Sequence, residues 1–94
     1  MTIARFDGEV IAESSDTVLV EGNHYFPPHS VRSGLMRPSQ KTTHCPLKGD
    51  AHYYSITVHG RPTPDAAWSY VEPSEQATMI RGHFAFAPLV TIEE

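Results

Sequence analysis

Ninety-four residues lie at the small end of the single-domain range, where one core forms and roughly two-thirds of the unfolded chain's surface is buried. With 39% hydrophobic and 19% charged residues the composition is that of a globular domain, which excludes a disordered chain, and no apolar run reaches membrane-spanning length. The net charge of −4 argues against bulk nucleic-acid binding.

In chain order, Thr2–Phe6 and Glu9–Ser14 read as two strands joined by Asp7-Gly8, a dipeptide that supplies the positive φ angles of a twisted hairpin. Thr17–Glu21 is a β-branched strand followed by a turn at Gly22-Asn23. Tyr25-Phe26-Pro27-Pro28 must be extended, and its prolines restrict it to an edge. His29–Met36 admits one or two helical turns with Ser30 as N-cap, ended by Arg37-Pro38. Gln40–Cys45 and Ala51–Val58 read as strands around the turn Cys45-Pro46-Leu47-Lys48-Gly49-Asp50, and alternation places Tyr54, Ile56 and Val58 in the core. His59-Gly60-Arg61-Pro62 turns the chain again. Ala66–Tyr70 is a strand with Trp68 and Tyr70 on one face, and Ser74–Ile80 a short capped helix. His83–Ala87, with Phe84 and Phe86 sharing a face, and Val90–Glu93 complete a single domain over 1–94. The fold expected is mostly β, of compact antiparallel sheets with one or two short helices.

Charge is distributed unevenly. Residues 1–28 carry Arg5 against Asp7, Glu9, Glu13, Asp16 and Glu21, and residues 62–94 carry Arg81 against Asp65, Glu72, Glu75, Glu93 and Glu94. Between them Arg32, Arg37, Lys41, Lys48 and Arg61 oppose only Asp50. A basic middle third suits an anionic ligand, or pairs with the acidic ends once folded. A single cysteine excludes an internal disulfide, and Met1–Phe6 lacks the apolar run of a signal peptide, so a cytoplasmic protein is expected.

The segment Thr42-Thr43-His44-Cys45-Pro46-Leu47-Lys48-Gly49 concentrates the chemistry. It places a thiol, an amine and a run of turn amides within a few residues, and Lys48, His44 or those amides can stabilise a thiolate. Cys45 reads equally as a packed apolar side chain. Lys48 beside Gly49 offers an ammonium and turn amides to an oxyanion, without Walker spacing. No His-Glu-x-x-His or Cys-x-x-Cys occurs, so neither a metal nor another cofactor is expected. Tyr25, Phe26, Tyr53, Tyr54, Trp68 and Tyr70 supply enough aromatic surface for a pocket wall or a protein-binding face.

Tyr25-Phe26-Pro27, Ser39 with Thr42 and Thr43, Cys45-Pro46-x-Lys48-Gly49, Tyr53-Tyr54, Ala67-Trp68-Ser69-Tyr70, and Ile80 with Phe84 together resemble the domain of unknown function family 427, labelled nucleotidyltransferase-like. The resemblance covers Tyr25 to Phe86, with Cys45, Lys48, Tyr53, Trp68 and Tyr70 as its signature. It implies a β-tent-like fold, two roughly orthogonal antiparallel sheets with a pocket between them, or a small sandwich or barrel. The zinc that related β-tent families hold on paired cysteines is not implied for a chain with one cysteine. The leading expectation is a ligand-binding domain, catalytic or not, for a small anionic or carbonyl-bearing molecule. In it Cys45 and Lys48 carry any catalysis, and Tyr25, Thr43, His44, Lys48, Gly49, Tyr53, Trp68 and Tyr70 surround the ligand. The rivals are a non-enzymatic protein-interaction module and a cysteine-dependent or nucleotidyl-transferring enzyme. A monomer or homodimer away from membranes and nucleic acid is expected.

Overall fold

The computed structural model describes residues 1–94. Nine strands, β1 (Thr2–Phe6), β2 (Glu9–Ser14), β3 (Val18–Val20), β4 (Asn23–Tyr25), β5 (Met36–Cys45), β6 (Gly49–Val58), β7 (Arg61–Ser69), β8 (Phe84–Phe86) and β9 (Thr91–Glu93), form three antiparallel sheets. Their orders are β2-β1-β9, β3-β4 and β5-β6-β7-β8. The chain is therefore mostly β. Three hairpins close on the same chemistry, a residue with φ near +50° followed by glycine: Asp7-Gly8, Glu21-Gly22 and His59-Gly60. Positive φ at both central positions matches the twist of the flanking strands. The second of these turns sits one residue before the Gly22-Asn23 expected from sequence, because Glu21 takes the first left-handed position and Asn23 opens β4.

Phe26 and Phe84 exchange both backbone hydrogen bonds, at 2.8 and 2.9 Å, so the β3-β4 hairpin continues the four-stranded sheet beyond β8. Prolines sit where the ladder tolerates a missing donor: Pro38 on the edge strand β5, and Pro62 and Pro64 in the half of β7 that β8 does not reach. β5 begins at Met36 rather than at Gln40, since Arg37-Pro38 continues into the strand. β7 begins at Arg61, and a bulge at Asp65, with φ near +54°, absorbs its register shift against β6.

Helix is confined to three 3-10 segments. The helical turns expected over His29–Met36 are two separate ones, Pro28–Ser30 and Ser33–Leu35, and neither has a side-chain cap. The capped helix expected over Ser74–Ile80 is a 3-10 segment, Glu75–Ile80, interrupted at Ala77, whose φ of −125° is not helical. Ser74 does not cap it, because its hydroxyl donates instead to the carbonyl of Leu47.

The four-stranded sheet is covered on both faces. Ile56, Val58, Ala67 and Phe86, with Tyr54 and Phe84 at the margin, pack against Ala4, Ile11 and Ala12 of the first sheet. On the opposite face Ala51 and Ala85 pack with Tyr25, Tyr70, Ala77 and Ile80, with Cys45, Tyr53 and Trp68 partly buried beside them. Strand alternation explains the division, since directly paired residues share a face. Tyr54, Ala67 and Phe86 lie in one row across β6, β7 and β8, and Tyr53, Trp68 and Ala85 in the next. The second, smaller core carries the site.

Candidate functional site

Cys45 ends β5, pairs with Gly49 at the start of β6, and opens a β-turn in which the Lys48 amide donates to the Cys45 carbonyl at 3.2 Å. Proline at the second turn position presets the required φ. The turn is clasped from outside: the Ser74 amide donates to the Lys48 carbonyl at 2.9 Å, and the Ser74 hydroxyl to the Leu47 carbonyl at 2.5 Å. Gly49 makes this approach possible. Its φ is +108°, and a Cβ there would stand 3.4 Å from the Glu72 carbonyl oxygen and the Ser74 nitrogen.

Inside the clasp the backbone amides of Leu47 and Lys48 hold the Cys45 thiol below the ordinary value, with the Lys48 ammonium adding to the effect. Burial is the largest single influence on Lys48 and disfavours its charge, but the Glu21 carboxylate, Tyr70, Cys45 and Tyr25 together outweigh it, so the ammonium is held on its proton. Lys48 ion-pairs with Glu21, keeps only 12% of its side chain exposed, and lies with Nζ 5.8 Å from the centre of the Tyr70 ring. Tyr25 and Tyr70 are 2% and 5% exposed, with ring centres 6.4 Å apart, and burial raises both phenols. The Tyr25 hydroxyl accepts a hydrogen bond from Trp68 Nε1 at 3.2 Å.

The residues singled out in the sequence divide into four groups. Cys45, Lys48, Tyr25 and Tyr70 come together, with Trp68 behind Tyr25. Thr43 and Tyr53 form a neighbouring strip on the same face, their hydroxyls 3.3 Å apart and Lys41 Nζ 4.6 Å from the Tyr53 ring centre. His44 projects from the other face of β5, where it pairs with Asp50 at 2.7 Å and is largely exposed. Gly49 serves the turn's packing.

A cavity of about 220 Å³ opens beside Lys48, lined by Val20, Glu21, Leu47, Lys48, Gln76, Ala77, Met79 and Ile80. Five of these eight residues are apolar and none is aromatic. The aromatic wall expected from Trp68 and Tyr70 is absent from it, because those rings are consumed in the packing beneath. Glu21, Leu47 and the Gln76–Ile80 stretch were missed in the sequence. Glu21-Gly22 as a hairpin tip was the available signal for the first, whereas nothing local announces that Ser74 would bring the 3-10 segment to the turn. Two larger cavities, of about 320 Å³ beside His24 and Glu94 and about 430 Å³ beside His52 and Glu72, touch neither Cys45 nor Lys48. No three His, Cys, Asp or Glu side chains gather to hold a metal ion, and no helix is long and apolar enough to cross a membrane.

With a mostly-β fold and the Cys-Pro-x-Lys-Gly turn both in place, comparison with known families gives one assignment. The chain belongs to the domain of unknown function family DUF427, labelled NTP_transf_9, whose profile matches residues 2–93. No curated protein matches it.

Proposed function

We propose that this chain is a ligand-binding domain that takes a small anionic or carbonyl-bearing molecule at the Cys45–Lys48 turn. The observation that carries the reading is the placement of Lys48: a cation held charged by its surroundings, almost covered along its stem, and set at the edge of a cavity beside a thiol of lowered pKa. Its partner Glu21 is 59% exposed on a hairpin tip, so a ligand anion that takes its place on Lys48 returns the Glu21 carboxylate to water rather than burying it unpaired.

The test is a thermal-shift screen of nucleotides, phosphate, pyruvate and other small anions against the protein and its Lys48→Ala variant. A true ligand at a hundredfold excess over its Kd stabilises by about 2.7 kcal/mol, several degrees in Tm for a domain of this size. That stabilisation should vanish in the variant. A screen in which no compound acts differently on the two proteins refutes the reading.

The second reading is a protein-interaction module, favoured by Leu47 and Met79, which are 60% and 54% exposed on the same rim. Nucleotidyl transfer through paired metal ions draws no support from the donor set, since Asp7 occupies a hairpin turn and Glu9 faces Arg32 at 3.5 Å.

A further inference from the structure

We infer that the anion is an amphiphile, a monocarboxylate with a short unbranched apolar tail, its carboxylate on Lys48 and its tail in the cavity between the Glu21 hairpin and the Glu75–Ile80 segment. This rests on the reading of Lys48 as the anion anchor and adds what occupies the space beside it.

The lining decides the class. Val20, Leu47, Ala77, Met79 and Ile80 make five of the eight walls apolar, and Lys48 is the only cation among them. A nucleotide would bring a sugar and a base edge whose polar atoms meet no adequate set of partners there, and unpaired polar groups are costly to bury. An apolar chain meets no such cost. Size agrees: about 220 Å³, filled at interior packing density with roughly 20 Å³ per non-hydrogen atom, holds about ten such atoms, the number in octanoate.

The exposed Leu47 and Met79 acquire a role under this assignment. Both line the cavity, one from the clasped turn and one from the 3-10 segment, and a tail packed against them removes both from water. The charge balance also holds, because a ligand carboxylate replaces Glu21 on Lys48 one for one and Glu21 returns to solvent at the hairpin tip. No bond is made or broken.

The experiment is isothermal calorimetry of the whole chain with acetate, butanoate, hexanoate, octanoate, phosphate and octanol. Affinity should rise about threefold to fourfold per methylene, the equivalent of 0.8 kcal/mol for each buried CH₂, and level off once the tail fills the cavity. Octanol should bind at least tenfold more weakly than octanoate. Met79→Gln, a neutral polar change at an exposed position, should weaken octanoate by a larger factor than it weakens acetate. Glu21→Gln should tighten the whole series. Lys48→Gln should weaken octanoate at least tenfold, and Lys48→Arg should retain binding, which separates loss of charge from loss of fold. Acetate or phosphate binding as tightly as octanoate, still dependent on Lys48, overturns the amphiphile and leaves the anion site standing. Octanol matching octanoate overturns the role of the cation. No anion responding to Lys48 overturns this inference together with the reading beneath it.

Discussion

A thiol, an ammonium and two phenols share one half-buried patch, and their mutual influence is the strongest chemical statement the molecule makes. Cys45 is held below the ordinary thiol range by the Leu47 and Lys48 amides first and by the Lys48 ammonium next. The thiolate is the reactive form, so iodoacetamide should alkylate folded Cys45 at neutral pH faster than it alkylates the urea-unfolded chain. Lys48→Gln should remove only part of the advantage, because the amides remain. Labelling of the folded protein slower than the unfolded control would return Cys45 to the role of a packed side chain. The phenols give a second prediction. Burial raises Tyr25 and Tyr70, and Glu21 together with the neighbouring phenols raises Lys48 against its own burial, so all three bind protons more tightly folded than unfolded. Their contribution to stability is complete below the unfolded values of about 10 and is lost as pH rises through the folded ones. The urea midpoint should therefore fall steeply above pH of about 10, and less steeply in Tyr25→Phe. Cys45 works in the opposite sense, its contribution complete above the unfolded thiol value and lost as pH falls through the folded one, so a Cys45→Ser background isolates the phenols and Lys48. At this scale the sequence was informative about identity and poor about partners. Cys45, Lys48, Tyr25 and Tyr70 are legible from their types and their turn. Glu21, 27 positions from Lys48, is not.

At the scale of elements, the site depends on one clasp, the pair of hydrogen bonds from Ser74 to the Leu47 and Lys48 carbonyls. Ser74→Ala removes the side-chain bond and should lower stability by about 1 kcal/mol in urea unfolding. Gly49→Ala should cost about 1–3 kcal/mol, since it adds a Cβ against the Glu72 and Ser74 backbone at a φ that side chains avoid. Wild-type stability in either variant would show that the clasp is incidental. The same clasp shows why local reading fails where it does. Serine before an apolar run is an N-cap signal, and the structure spends that hydroxyl on a carbonyl 27 residues away, leaving Glu75–Ile80 as two uncapped 3-10 turns. Asp7-Gly8, by contrast, is legible because the two residues alone dictate the backbone. So is the face assignment of Ile56 and Val58, because period-two alternation survives along β6 even where β7 bulges against it. That Tyr53 and Trp68 are also partly buried was not legible, since alternation predicts one wet face and the β3-β4 hairpin and the 3-10 segment pack against it.

For the whole molecule, the four-stranded sheet divides the interior into a larger structural core and a smaller one that supports the site. Ile56→Ala, at a fully buried position of the larger core, should cost about 2–5 kcal/mol and leave ligand binding intact wherever the chain still folds. Ile80, also fully buried, belongs to the smaller core and lines the cavity, so Ile80→Ala should lower stability and binding together. Loss of binding in both variants alike would show that the two faces are not separable in this way. The claim on which the rest depends is that an anion docks at the clasped turn, and the direct measurement is amide chemical-shift mapping of the ¹⁵N-labelled protein titrated with octanoate and, separately, with phosphate. The account predicts saturable shifts concentrated at Glu21, Leu47, Lys48, Ala77 and Ile80 for at least one of the two, abolished in Lys48→Gln. Shifts centred instead on Arg32 and Arg37, or unchanged by the Lys48 substitution, would contradict it.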